Sequence, residues 1–127
     1  MKKALSLFLA VSFLALIIVS VAGCSLFKGI RLDEVKANLE NAGYTVAVMT
    51  GDEYVETKDA VPAISAAELE KYLYAVKGDD EIHIFFFNSI NTASFNSDFI
   101  HINGLLGGQH NEVIYCGTRQ AIKDAGI

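Results

Sequence analysis

Three histidines, two cysteines and 15 Asp and Glu side chains are the groups in this 127-residue chain from which a chemical site could be built. His101 and His110 bracket a glycine-rich stretch, with Asp98 three residues before His101. Imidazole and carboxylate are good zinc ligands, so these three residues are the candidates for a metal site. Their spacing fits no compact motif such as His-Glu-x-x-His, and the expectation is that no metal or dissociable cofactor is bound. His83 has Glu81 on the same face of a strand-like run, and joins such a site only if the fold brings it near. Gly104-Leu105-Leu106-Gly107-Gly108 lacks the Lys-Ser/Thr ending of a phosphate-cradling loop and precedes a strand, so it reads as a flexible connection. No Gly-x-Ser-x-Gly elbow orders a nucleophile. The carboxylates at Asp52/Glu53 and Asp79/Asp80/Glu81 mark solvated turns. The chain reads as a protein that is not an enzyme.

The start of the chain carries the most specific pattern. Met1-Lys2-Lys3 is a short basic opening, and no charged residue follows from Ala4 to Ala22. A basic start, an apolar run and small residues at its exit make a secretory signal. The run is also close to the roughly 20 residues of a membrane-spanning helix, and its ending decides between the two. Val21-Ala22-Gly23-Cys24 resembles the lipobox of bacterial lipoproteins, with Val21 where Leu is usual. The resemblance covers about the first 24 residues. It implies cleavage between Gly23 and Cys24, a diacylglycerol on the Cys24 sulfur, and often an acyl chain on the new amino terminus. One fatty chain holds a protein marginally, whereas two or three hold it stably. The implied location is the extracytoplasmic face of the cell membrane or the outer membrane. In Gram-negative sorting, Ser25 in place of Asp would permit export to the outer membrane. Residues 1–23 are then a removed signal peptide, 24–31 a lipidated tether, and 32–127 a single domain.

With Cys24 lipidated, Cys116 stands alone and no intramolecular disulfide is available. It ends the apolar run Val113-Ile114-Tyr115-Cys116, where a buried and inert thiol is expected. A catalytic thiol would need an activating His or basic neighbour, and none is apparent locally.

Composition narrows the partners. The 52% hydrophobic content is concentrated in the leader, and the part after Gly23 has the apolar content of an ordinary packed domain. That part carries 8 basic and 15 acidic side chains, a net charge of −7. An acidic domain without a Lys/Arg cluster is poorly suited to phosphate backbones, so nucleic acid is not an expected partner.

Apolar spacing predicts the elements that must position these groups. Leu32, Val35 and Leu39 predict a helix over Leu32–Ala42. A strand over Tyr44–Met49 and a hairpin partner over Glu53–Thr57 follow, then a loop around Pro62. Ser65-Ala66-Ala67-Glu68 has the form of a capping box, and Leu69, Tyr72, Leu73 and Val76 predict the helix it opens, ending at Gly78. Ile82–Phe87 is apolar on both faces and predicts a central strand. Asn91–Ile100 is a weak helical pattern in which Phe95, Phe99 and Ile102 are correctly spaced. A strand over 112–116 and a helix capped by Thr118 close the chain. The expected class is α+β: a two-layer sandwich with a four-stranded, mainly antiparallel sheet and helices on one face, ferredoxin-like or related.

A sheet covered on one side exposes one of its aromatic sets. Phe85 and Phe87, with Tyr72 and Tyr74, are therefore the candidate binding surface. The function expected is a membrane-anchored, non-catalytic binding or interaction module of the cell envelope, with an envelope protein as the candidate partner. The alternative is a small-ligand-binding accessory lipoprotein of a transporter. A small envelope hydrolase using His101 or His110 has the least support. The segments Leu39–Val46 and Tyr115–Thr118 resemble those of small bacterial lipoproteins that have no assigned activity.

Overall fold

The computed structural model describes residues 29–102 and 104–127. The leader, Cys24 and residues 25–28 of the tether lie outside them, as does Asn103. The elements run α1 (Leu32–Asn41), β1 (Thr45–Thr50), α2 (Gly51–Val55), β2 (Leu69–Lys77), β3 (Asp80–Phe87), α3 (Ile90–Ser97), β4 (Leu106–His110), β5 (Val113–Gly117) and α4 (Arg119–Ala125). The class is α+β. One sheet of five strands, in the order β1-β2-β3-β5-β4, has every neighbouring pair antiparallel. Around β5, strands β3 and β4 are joined through α3 and run parallel, which makes a split β-α-β unit. A ferredoxin-like sheet would have a second such unit, but here β1 and β2 are direct antiparallel neighbours.

Two sequence expectations are corrected in the first half of the sheet. The segment 65–78 is not a helix. Ser65 closes a turn in which the amides of Glu68 and Leu69 donate to its carbonyl at 3.1 and 3.2 Å, and β2 follows. Its helical spacing has a local cause. A register shift between Leu69 and Lys71 puts Leu69 and Tyr72 on the same face of the strand, imitating a helical i, i+3 pair. Lys77 pairs with Asp80 around a two-residue turn, Gly78-Asp79, with φ of +60° at Gly78. Glycine at the first position of such a turn is a hairpin signal, so Gly78 joins two strands instead of ending a helix.

The second correction concerns Glu53–Thr57, where α2 stands in place of a strand. The working capping box is here. Thr50 Oγ1 accepts from the Glu53 amide at 3.2 Å, and Glu53 Oε2 accepts from the Thr50 amide at 3.1 Å. Two free donors are satisfied reciprocally, which turns the chain out of β1. A further strand, β4, draws in Gly107 and Gly108, so the expected loop is an edge strand and the sheet has five strands instead of four.

Helices cover both faces of the sheet, not one. Val35 and Leu39 of α1 and Ala121 and Ala125 of α4 pack with Leu73, Ala75, Ile82, Ile84, Phe86 and Val113. On the opposite face, Tyr54 of α2, Ala93 of α3, Ile64 and Ile100 cover Leu69, Tyr72, Phe85, Phe87 and Ile114. Alternation along β3 sends Ile82, Ile84 and Phe86 one way and Phe85 and Phe87 the other, so each face needs a cover. Full burial of side chains of this size contributes about 1.5–3 kcal/mol each. The result is three layers with β3 at the centre.

Candidate functional site

Residues of β2 and β3 build the most organised polar arrangement, on the face covered by α2 and α3. The register opposes Tyr72 to Phe85 and Tyr74 to His83, which brings four rings onto one face. The Tyr72 hydroxyl lies 2.6 Å from His83 Nδ1, and His83 Nε2 lies 3.1 Å from Glu81 Oε2. In a neutral imidazole this chain requires the Nε2–H tautomer, with the Tyr72 O–H donating to Nδ1 and Nε2–H donating to the carboxylate. The opposite tautomer would aim a nitrogen lone pair at Glu81. The Tyr74 ring lies over His83 with centroids 4.8 Å apart, and Tyr54 packs on Tyr72 at 4.6 Å.

Burial pushes the Tyr72 hydroxyl well above the usual phenol range, helped by the neighbouring Tyr54, Tyr74 and Glu81. The hydroxyl is thus a fixed neutral donor. Chemically, the arrangement orients an imidazole, with both ring nitrogens in hydrogen bonds.

Of the aromatic residues expected to form a binding surface, Phe85, Phe87 and Tyr72 are buried and Tyr74 is half-buried. They are core residues because α2, α3 and residues 58–64 cover that face. Among the described residues the large exposed aromatic side chains are elsewhere, on and just after α3. Phe95 is 64% exposed and Phe99 49%, with centroids 5.7 Å apart. The face of α3 turned to the sheet carries Ala93 and Asn96, the reverse of what the Phe spacing predicts. Asn96 is fully buried; its amide donates to the Thr92 carbonyl at 2.9 Å, while its Oδ1 has no partner among the described residues.

The candidate metal ligands do not converge. Asp98 caps the end of α3, His101 is exposed in the following loop, and His110 ends β4. Among the described residues no three His, Cys, Asp or Glu side chains are placed to share an ion. Cys116 stands opposite His83 in the β3–β5 register, a neighbour invisible to local sequence. Its thiol is nonetheless buried, and burial pushes its pKa up, so proximity to an imidazole does not make it a ready nucleophile.

A groove of about 410 Å³ opens on the other face, between α1, α4 and the β4–β5 hairpin. Arg31, Glu34, His110 and Tyr115 contribute polar groups to it, and Val35 and Ile127 apolar ones. Sequence reasoning missed this groove because its walls come from both ends of the described domain. The Tyr72–His83 contact was missed for another reason: a helix over 65–78 would have kept the two residues apart. The signal for it was the Gly-Asp pair between two apolar runs. The chain matches no protein-family model, no curated protein and no solved structure with which it was compared.

Proposed function

We propose that this chain is an exported, lipid-anchored binding module of the bacterial cell envelope, without catalysis of its own. The observation that carries the reading is the run from Lys2 through the uncharged stretch to Val21-Ala22-Gly23-Cys24, followed closely by the start of α1 at Leu32. The polar groups of the domain support the non-catalytic part. The Tyr72 hydroxyl that meets His83 is buried and held in its neutral form, and the Cys116 thiol is buried as well, so neither is presented to a substrate as a nucleophile. Replacing Cys24→Ala tests the anchor: fatty-acid labelling and membrane fractionation should both be lost. Labelling that persisted in the variant would sink the reading.

The groove favours a second reading, a small-ligand-binding lipoprotein. Its volume lies within the roughly 300–1,000 Å³ typical of small-molecule sites. On that reading, compounds that raise the thermal midpoint of the protein should lose their effect in Glu34→Trp, where an exposed α1 residue is enlarged to fill the groove. An effect unchanged by that substitution would remove the groove from consideration.

A further inference from the structure

The outward face of α3 and the adjoining β4 edge carry exposed apolar side chains and little charge. Residues 88–111, which include α3 and β4, contain one charged side chain, Asp98, in a domain otherwise rich in carboxylates. The same segment holds four large exposed apolar side chains: Ile90, Phe95, Phe99 and Leu106. The helix is turned so that its phenylalanine faces solvent while Asn96, a polar residue, is buried. Such an orientation suits a helix whose outer side meets an apolar medium.

The tether enters at this same edge. Successive residues of β4 point to opposite faces, and they link the two features. Gln109 donates to the Ser94 hydroxyl, beside Phe95, at 3.0 Å. His110, the next residue, lies against Gly29, where the described chain begins. Five peptide units separate Cys24 from Gly29, a reach of at most about 18 Å. A domain of this size has a radius of gyration of about 13 Å, so the tether keeps the edge it enters nearer the headgroups than the opposite edge. Contact with lipid removes water from the surface that meets it, which is costly for carboxylates, and this segment has one carboxylate to desolvate.

We propose that Phe95 and Phe99 seat in the lipid interface and that the α3–β4 side is the membrane-facing side of the anchored domain. The inference rests on lipidation of Cys24. It is tested with the full-length, acylated protein reconstituted in vesicles of phosphatidylethanolamine and phosphatidylglycerol. Phe95→Cys is labelled with an environment-sensitive dye and compared with Asp52→Cys, an exposed position on α2 beside the opposite sheet edge. The Cys24 sulfur is blocked by lipid and Cys116 is buried, so the label enters at the new thiol. A blue-shifted emission at position 95, and several-fold stronger quenching there by lipid-borne quenchers than at position 52, is the expected result. Equal, weak quenching at both positions in a vesicle-bound chain would overturn this inference and leave the anchor standing. A blue shift at position 95 that depends on protein concentration, without lipid quenching, would also overturn it, since a second copy then covers the face. A chain that carries no fatty acid and does not float with the vesicles overturns both.

Discussion

Tyr72 and His83 hold one another across the β2–β3 hairpin, with the tyrosine hydroxyl 2.6 Å from Nδ1 of the imidazole. Tyr72→Phe keeps the ring that packs on Tyr54 and Phe85 and removes only this contact. The expected loss is about 0.5–1.5 kcal/mol, the net worth of an ordinary hydrogen bond. Wherever the ring is neutral, nitrogen-15 shifts should show His83 in the Nε2–H tautomer in the parent and a mixture in the variant. A native ring protonated at Nδ1 alone would contradict the proposed chain.

Tyr44 donates to the Asp124 carboxylate at 2.8 Å, fastening the start of β1 to α4. Burial, followed by this bond, pushes Tyr44 up from 10.0 to about 12. The neutral phenol is favoured by folding, so its contribution is intact below pH 10 and is lost as pH rises from there through about 12. The bond from Tyr44, with a second from Gln120, lowers Asp124 below its usual 3.8. That contribution is present above 3.8 and fades as pH falls through the lowered value. Thermal midpoints measured against pH should therefore fall at both extremes, and Tyr44→Phe should flatten both limbs.

The two capping sequences give opposite expectations. Thr50→Ala removes the cap of α2 and should cost about 1 kcal/mol. Ser65→Ala alters an exposed side chain whose backbone carbonyl alone is used, and should stay within about 0.5 kcal/mol of the parent. Denaturant midpoints of the two variants check this directly, and a larger loss at Ser65 would reinstate a helix there.

Gly51 is buried where α2 passes the beginning of β2, and a Cβ at this position would collide with the Leu69 carbonyl oxygen. Gly51→Ala must push backbone against backbone, so a loss of about 1–3 kcal/mol is expected. Chemical denaturation gives the value; a neutral variant would mean that α2 does not lie against β2 in this way.

Cys116 is 2% exposed with its thiol pKa raised by burial. Thiol reagents should leave it unmodified in native buffer at neutral pH and modify it fully in denaturant. Rapid native labelling would show that the β5 face opens, and would restore the thiol as a candidate nucleophile.

Local chemistry was readable along much of this chain. The helix expected over Leu32–Ala42, the central strand ending at Phe87, the strand through Val113-Ile114-Tyr115-Cys116 and the Thr118 cap each follow from spacing or a single side chain, and the structure agrees to within a residue or two at their ends. Such features depend on neighbours within a few residues, which the sequence contains. The resemblance of Val21–Cys24 to a lipobox is also a reading from contiguous residues, and it lies outside the described residues.

Tertiary structure decided the rest. Leu69 and Tyr72 satisfy a helical pattern and a bulged strand equally well, and pairing with both β1 and β3 selects the strand. The Phe95 side of α3 is apolar enough to be buried, yet Ala93 and Asn96 face the sheet. Which side of a short helix packs depends on the surface presented by β3, β4 and β5, and no window of sequence contains that surface. The His83–Tyr72 contact and the groove between α1 and α4 arise from residues far apart along the chain. Sequence alone determined where the reactive groups lie along the chain. Long-range pairing determined which of those groups meet, because a hydrogen bond or a groove forms only between surfaces that folding has brought together.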